Sequence, residues 1–221
     1  MLKSAMAIVG VGLVLIVSSA ASAAPIVYAV GFPNGNPIFE TVNLNSGAVS
    51  VIGTVQYGGT INDIASDPTT GKLYGLSGQT LFTINPTNGV TNVVGYTGVG
   101  DMETLAFNPG GNLYVGTQHS LYSVNKNSAG SSYLGEFGAA FQANGTIQNI
   151  RFNGSTLYAT NTDPDAADTD LYAINTSNAS ATWIGEVQGH PGLALGNYGT
   201  QMYGSSLPAI HGGATLTRYI R

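Results

Sequence analysis

One phrase recurs along this chain, and the recurrence restricts the fold more than any other feature. Its clearest word is apolar-Tyr-small: Val27-Tyr28-Ala29, Leu73-Tyr74-Gly75, Leu113-Tyr114-Val115, Leu157-Tyr158-Ala159 and Met202-Tyr203-Gly204. The tyrosines are 46, 40, 44 and 45 residues apart. A second word follows each of the first four tyrosines and ends in asparagine, at Asn43, Asn85, Asn125 and Asn175. A third ends in apolar-Gly: Ile52-Gly53, Val94-Gly95, Leu134-Gly135 and Ile184-Gly185. A fourth precedes the next tyrosine: Ile64-Ala65-Ser66, Leu105-Ala106-Phe107, Ile150-Arg151-Phe152 and Leu193-Ala194-Leu195.

Each word is a short run with period-2 alternation, the mark of a strand with two unlike faces. Between the words stand Asp67-Pro68, Asn108-Pro109-Gly110-Gly111, Asn153-Gly154 and Asn85-Pro86-Thr87-Asn88-Gly89. In such segments Asn and Asp bond to their own backbone and Gly supplies positive φ, so the recurring asparagines read as turn starters. Four short strands every 40 to 46 residues match the blade of a β-propeller. The expected fold is all-β, with about five four-stranded blade units, the first and last incomplete, in an unclosed or truncated ring. We letter the strands of a blade A to D, with A, the word before the tyrosine, nearest the axis. The strand-like run 215–221 has no closing turn, which points to a chain that continues.

The first residues follow another rule. Lys3 opens an apolar stretch from Ala5 to Val17, followed by small residues ending in Ala21-Ser22-Ala23. This is the pattern of a signal peptide cleaved after Ala23, so residues 1–23 are read as leader and 24–221 as the propeller domain. The expected location is secreted, periplasmic or at the cell surface. Only 8% of residues are charged, the net charge is −5, and no Lys/Arg cluster exists, which argues against nucleic acid as a partner. The chain has no cysteine, which excludes disulfides, thiolate chemistry and a lipidated cysteine anchor. No membrane span is expected after leader removal, and a monomer is the default.

The stretch Asp67-Pro68-Thr69-Thr70-Gly71-Lys72-Leu73-Tyr74-Gly75-Leu76-Ser77, followed by Leu81-Phe82-Thr83-Ile84-Asn85-Pro86-Thr87-Asn88-Gly89, resembles the propeller repeats of bacterial exported proteins. These include the DUF4394-like group and proteins that carry a PEP-CTERM sorting tail. The likeness covers most of residues 25 to 205 and implies a propeller in the envelope or outside the cell, with no agreed activity. More distantly the repeats are similar to NHL and quinoprotein-type propellers. No Pro-Glu-Pro sorting tail occurs in the sequence, so sorting by that route is not expected.

Three groups of residues could carry chemistry, all on the face expected to hold the D-to-A and B-to-C loops. Asn62, Glu103, Gln148 and Pro191 align in the A strands, with Asp63, Thr104, Asn149 and Gly192 beside them, as a polar ring at the channel mouth. Such a ring suits a sugar or small polar ligand, or serves only to bond neighbouring strands. The B-to-C loop of the fourth blade is six residues longer than its counterparts and carries Asp163, Asp165, Asp168 and Asp170. Hard oxygen donors at such spacing suit Ca²⁺, although the EF-hand Gly and closing Glu are absent. His119, His190 and His211 fall in loops of the same face without metal-binding spacing, and His119 and His190 are candidate ligand contacts. Arg151, a charge on an inner strand, is expected to pair with Glu103 or Asp63. Asp101 and Glu103, two apart, suit a strand entry better than a glycosidase pair. No nucleophile elbow, P-loop or dinucleotide fingerprint is present.

The leading expectation is a non-catalytic propeller binding a carbohydrate or protein partner, with Tyr57, Tyr96, Phe137 and Phe141 as aromatic contacts. A metal-dependent hydrolase or lyase using Ca²⁺, and a structural envelope or matrix protein, are the alternatives.

Overall fold

The computed structural model describes residues 14–15, 26–31, 36–43, 45–55, 57, 60–139, 141, 145–162, 168–187, 194–198, 201–206 and 215–220. They form five antiparallel sheets, four of four strands and one of three, each strand paired with its sequence neighbour. Blade 1 contains β1 (Val14–Leu15), β2 (Ile26–Gly31), β3 (Ile38–Asn43) and β4 (Val49–Thr54). Blade 2 contains β5 (Asp63–Ser66), β6 (Leu73–Ser77), β7 (Thr80–Ile84) and β8 (Thr91–Tyr96). Blade 3 contains β9 (Met102–Phe107), β10 (Leu113–Thr117), β11 (Ser120–Val124) and β12 (Ser131–Glu136). Blade 4 contains β13 (Thr146–Asn153), β14 (Thr156–Thr162), β15 (Thr169–Ile174) and β16 (Ala181–Val187). Blade 5 contains β17 (Ala194–Tyr198), β18 (Gln201–Ser206) and β19 (Thr215–Ile220). This is a β-propeller, and every repeated word is a strand.

The inner strands touch in order: β5 meets β9, β9 meets β13 and β13 meets β17. Strand β1 touches both β5 and β17 and so completes the circle. Val14 and Leu15 lie inside the segment read as a leader, and cleavage after Ala23 would leave the inner edge of β2 unpaired.

The core lies between blades, because a single four-stranded sheet cannot bury either of its faces alone. Phe39 of blade 1 packs with Ile64, Leu73 and Phe82 of blade 2. Leu76 and Leu81 of blade 2 pack with Met102, Leu105 and Val115 of blade 3. Leu121 of blade 3 packs with Ile150, Leu157 and Tyr172 of blade 4. The repeated tyrosine spans the same seams: Tyr74 meets Phe107 at 5.2 Å between ring centres, and Tyr114 meets Phe152 at 5.3 Å.

The asparagines open the C-to-D turns as expected. In blade 2 the Asn85 side-chain oxygen accepts the Thr87 N–H at 2.9 Å and the Thr87 hydroxyl at 2.7 Å. Asn43, Asn125 and Asn175 accept the N–H two residues on in the same way, each at 2.9 Å.

The apolar-Gly word has a reason beyond the strand itself. A Cβ on Gly53 would stand 2.9 Å from the Asn88 carbonyl oxygen, and one on Gly95 would stand 2.9 Å from that of Ser128. A Cβ on Gly135 would strike the Asn178 carbonyl. Each glycine is therefore a slot in strand D that admits the C-to-D turn of the following blade. The residue seated in that slot is small and left-handed: Gly89 at φ 74°, Ala129 at 61° and Ala179 at 62°.

The last inner strand sits two residues later than the repeat suggests. Leu195 pairs with Gly204 as Ile150 pairs with Ala159. The residue equivalent to Asp63, Thr104 and Asn149 is thus Ala194, and not Gly192. An alternating strand looks the same after a two-residue shift, so the pattern of Leu193 and Leu195 does not fix its own register.

Candidate functional site

The two ends of the barrel-like ring differ in chemistry. At one end the D-to-A loops are tied to the B-to-C loops: Val55 N–H donates to the Pro37 carbonyl, Thr97 N–H to Gln79 and Phe137 N–H to His119, at 2.9–3.0 Å. The other end carries the A-to-B and C-to-D turns, where Asp67, Asn108, Asn43, Asn85, Asn125 and Asn175 each accept a backbone N–H of their own turn. There Asp67 accepts from Thr69 and Thr70 and forms an ion pair of 2.6 Å with Lys126 of the next blade. Burial alone would raise the Asp67 carboxyl, but the bonds from Lys126, Thr69 and Thr70 outweigh it and lower its pKa to about 2. An open notch at this end, about 450 Å³ in volume, is lined by Tyr114, Ser123, Asn125, Lys126 and Ser132.

Inside the ring the inner strands meet in a buried polar network. The Asp63 carboxylate accepts the Thr104 hydroxyl at 2.7 Å and the Leu105 N–H at 2.9 Å. The Thr104 oxygen in turn accepts the Ile150 N–H at 3.0 Å, and the Asn149 side-chain oxygen accepts the Leu195 N–H at 3.2 Å. Each blade's polar residue thus caps a backbone N–H of the next inner strand, until Ala194 ends the series. Arg151 crosses to Asp63 with bonds of 2.8 and 3.0 Å and also donates to the carbonyls of Leu105 (2.5 Å) and Ile64 (3.1 Å). Of the two partners the sequence allowed, Arg151 takes Asp63. Arg151 and Asp63 are buried and neutralise one another, so this set plugs the axis and presents no free charge.

The candidate ring lies one residue earlier on the same three strands, on the loop side of the plug. Asn62 is half-buried, and its side-chain oxygen accepts the Gly78 N–H at 2.9 Å, which fastens the blade 2 B-to-C loop. Gln148 is exposed. Glu103 is half-buried; burial, and then the charge of Asp101, push its carboxyl above the usual range. Asp101 itself stands at φ 53° just before β9, so the two acids do mark a strand entry. Neither described ion pair includes Glu103.

His119 is exposed on the blade 3 B-to-C loop, where Thr117 pairs with Met102 next to Glu103, so it belongs to the same face. His190 and His211 lie outside the described residues, as do Asp163 and Asp165. Asp168 is half-buried. Asp170 accepts from Trp183 Nε1 at 2.8 Å and from the Tyr172 hydroxyl at 3.1 Å, so both of its oxygens are engaged. Among the described residues no three His, Asp or Glu side chains gather closely enough to hold a metal ion.

The aromatic expectation needs correction. Phe137 and Phe141 are buried, 4.7 Å apart between ring centres, and Phe141 also packs on Tyr172. Tyr57 stacks on Phe82 at 4.7 Å. These rings face neighbouring blades, because the loops carrying them fold back over the seams. Only Tyr96 is open to solvent, at 75% exposure. A second set of exposed apolar residues has no counterpart among the sequence expectations: Val51, Val93, Tyr133 and Trp183, one in each of the first four blades, two residues before each slot glycine. Their common register in the apolar-Gly word was the signal.

Comparison with known proteins fixes the fold and no more. No family model matches the chain, and no characterised sequence does either. Solved structures with the same architecture are numerous. One is a crystal structure of a nidogen–laminin complex, with TM-score 0.62 and 16% identity, covering 88% of this chain and 71% of the other. Another is the PQQ-bound aldose sugar dehydrogenase of Streptomyces coelicolor, with TM-score 0.57 and 12% identity over 87% and 74% of the two chains. A luciferin-regenerating enzyme matches with TM-score 0.55 and 11% identity over 87% and 69%. Among the described residues no helix is long and apolar enough to cross a membrane.

Proposed function

We propose that this chain is an exported, non-catalytic propeller that binds a carbohydrate or protein partner at the cell envelope or outside the cell. Its site is the loop-side mouth formed by Asn62, Glu103, Gln148 and the loop of His119. One observation carries the reading: on the loop side of the buried Arg151–Asp63 pair stands the half-buried Glu103, which no ion pair among the described residues includes. A half-buried carboxyl held above its usual range suits a hydrogen-bond contact with hydroxyl or amide groups of a neutral ligand. Low overall charge fits such a ligand. Two proteins of similar fold come from a laminin complex and from a sugar dehydrogenase, so both ligand classes occur on this scaffold.

The test is a glycan array together with crosslinking capture of envelope and secreted proteins, run on the native chain and on Glu103→Ala/Gln148→Ala. Binding that disappears in the double variant supports the mouth as the site. Binding retained in the double variant, or none by either method, overturns it. A melting point raised by Ca²⁺ and restored by Asp165→Asn/Asp168→Asn favours the metal-dependent alternative instead.

A further inference from the structure

The notch at the turn-side end is a place that one seam fills and the next leaves open. In the seam between blades 2 and 3, Lys126 reaches back from the C-to-D turn of blade 3 to Asp67, 2.6 Å away, and its ammonium lies 5.9 Å from the centre of the Phe107 ring. The seam between blades 3 and 4 repeats the frame, with Tyr114 against Phe152 as Tyr74 stands against Phe107. Its two polar positions differ. Asn108 opens the A-to-B turn where blade 2 has Asp67, and Thr176 follows the turn asparagine where blade 3 has Lys126. Thr176 is too short to cross as Lys126 does.

A third change enlarges the space. Tyr28, Thr41 and Ser50 lie side by side in blade 1, as do Tyr74, Thr83 and Asn92 in blade 2, and Tyr114, Ser123 and Ser132 in blade 3. The two threonine hydroxyls donate to the carbonyl beside them, at 3.4 Å each. Ser123 lacks the methyl group, and among the described residues neither its hydroxyl nor that of Tyr114 meets a hydrogen-bond partner. Both residues are half-buried. The notch of about 450 Å³ opens onto these hydroxyls and onto Asn112, Asn127 and Ser132.

We infer that the notch binds one ring of a neutral sugar, its hydroxyls meeting Tyr114, Ser123 and Ser132. Serine and tyrosine hydroxyls both donate and accept, which matches the hydroxyls of a sugar. The lining holds one charged side chain, Lys126, and Asp67 neutralises it. Neither an anion nor a cation therefore finds an unbalanced charge. The volume lies within the range of small-molecule sites, and the turns at Gly111 and Gly130 bound it. The inference takes the carbohydrate branch of the proposed function and gives it a second place, at the end opposite the mouth.

Saturation-transfer NMR on the native chain tests it, with neutral hexoses and N-acetylhexosamines and, separately, with inorganic phosphate. The expected result is saturable sugar binding and none of phosphate. Tyr114→Phe/Ser123→Ala keeps the ring against Phe152 and should weaken sugar binding by about tenfold or more, since two hydrogen bonds are lost. Asn108→Asp/Thr176→Lys rebuilds in this seam the ion pair of the preceding one, and should abolish binding without lowering the melting point. The inference is overturned if no neutral sugar binds, if phosphate binds instead, or if sugar binding survives either variant. Sugar binding lost in Glu103→Ala/Gln148→Ala and kept in both notch variants belongs to the mouth, which overturns the notch and leaves the proposed function standing.

Discussion

Arg151 on the inner strand of blade 4 grips Asp63 on the inner strand of blade 2 through paired bonds of 2.8 and 3.0 Å, reaching across blade 3. Ala65 and Ala106 hold the equivalent inner position in blades 2 and 3, and their small side chains leave room for one guanidinium. Planar two-point pairing suits Arg and not Lys. The consequence is structural: three blades share one buried ion pair, and the axis is closed.

Thr104 ties this pair to the rest of the network. Thr104→Val keeps the shape but leaves the Ile150 N–H without its acceptor and removes one donor from Asp63. Chemical denaturation should show a loss of about 1–3 kcal/mol. Thr104→Ser, which keeps the hydroxyl, should lose less.

Acid should weaken the turn-side face. The Asp67 carboxyl titrates at about 2 in the folded chain, against an ordinary value of 3.8. Because its folded pKa is depressed, its contribution is present above pH 4 and disappears as pH falls from there toward 2. The amount is about 2 kcal/mol, and Lys126→Met should flatten this part of the pH–stability curve.

Much of this architecture can be read from the chain, because each blade repeats the same local decisions. The strand words, the asparagine turns and the shared loop face need only period, turn chemistry and spacing. The pairing of Arg151 was narrowed to two acids, since an inner-strand charge must find a partner. Other features depend on neighbouring blades. The role of Gly53, Gly95 and Gly135 appears only when the next turn is in place. Phe137 and Phe141 could not be told from surface aromatics, because their loops fold inward through contacts with Tyr172. The register of Leu195 was hidden by the period of two.

The slot glycines should respond to substitution according to what a Cβ there would meet. Gly95→Ala sets a Cβ 2.9 Å from the Ser128 carbonyl and 3.2 Å from the Ala129 methyl. Overpacking there should cost about 1–3 kcal/mol in denaturant unfolding. Gly185→Ala, whose Cβ meets no described atom within 4 Å, should cost less than Gly95→Ala.

Glu103 should trade stability for function. Burial and the charge of Asp101 both disfavour its carboxylate, and Glu103→Gln removes both penalties. The variant should melt higher than the native chain at pH 7 and gain less as pH falls, since the raised carboxyl takes up its proton early. On the glycan array the same variant should bind more weakly.

A double-mutant cycle between Asp63 and Arg151, using Asp63→Asn and Arg151→Met with denaturant unfolding, tests the radial packing most directly. Breaking one side of a buried pair typically costs about 3–5 kcal/mol, so the two single losses should far exceed what additivity allows in the double variant. A coupling of about 2 kcal/mol or more is the predicted result. Losses that add to within about 0.5 kcal/mol would place the two residues apart and contradict the propeller's closed centre.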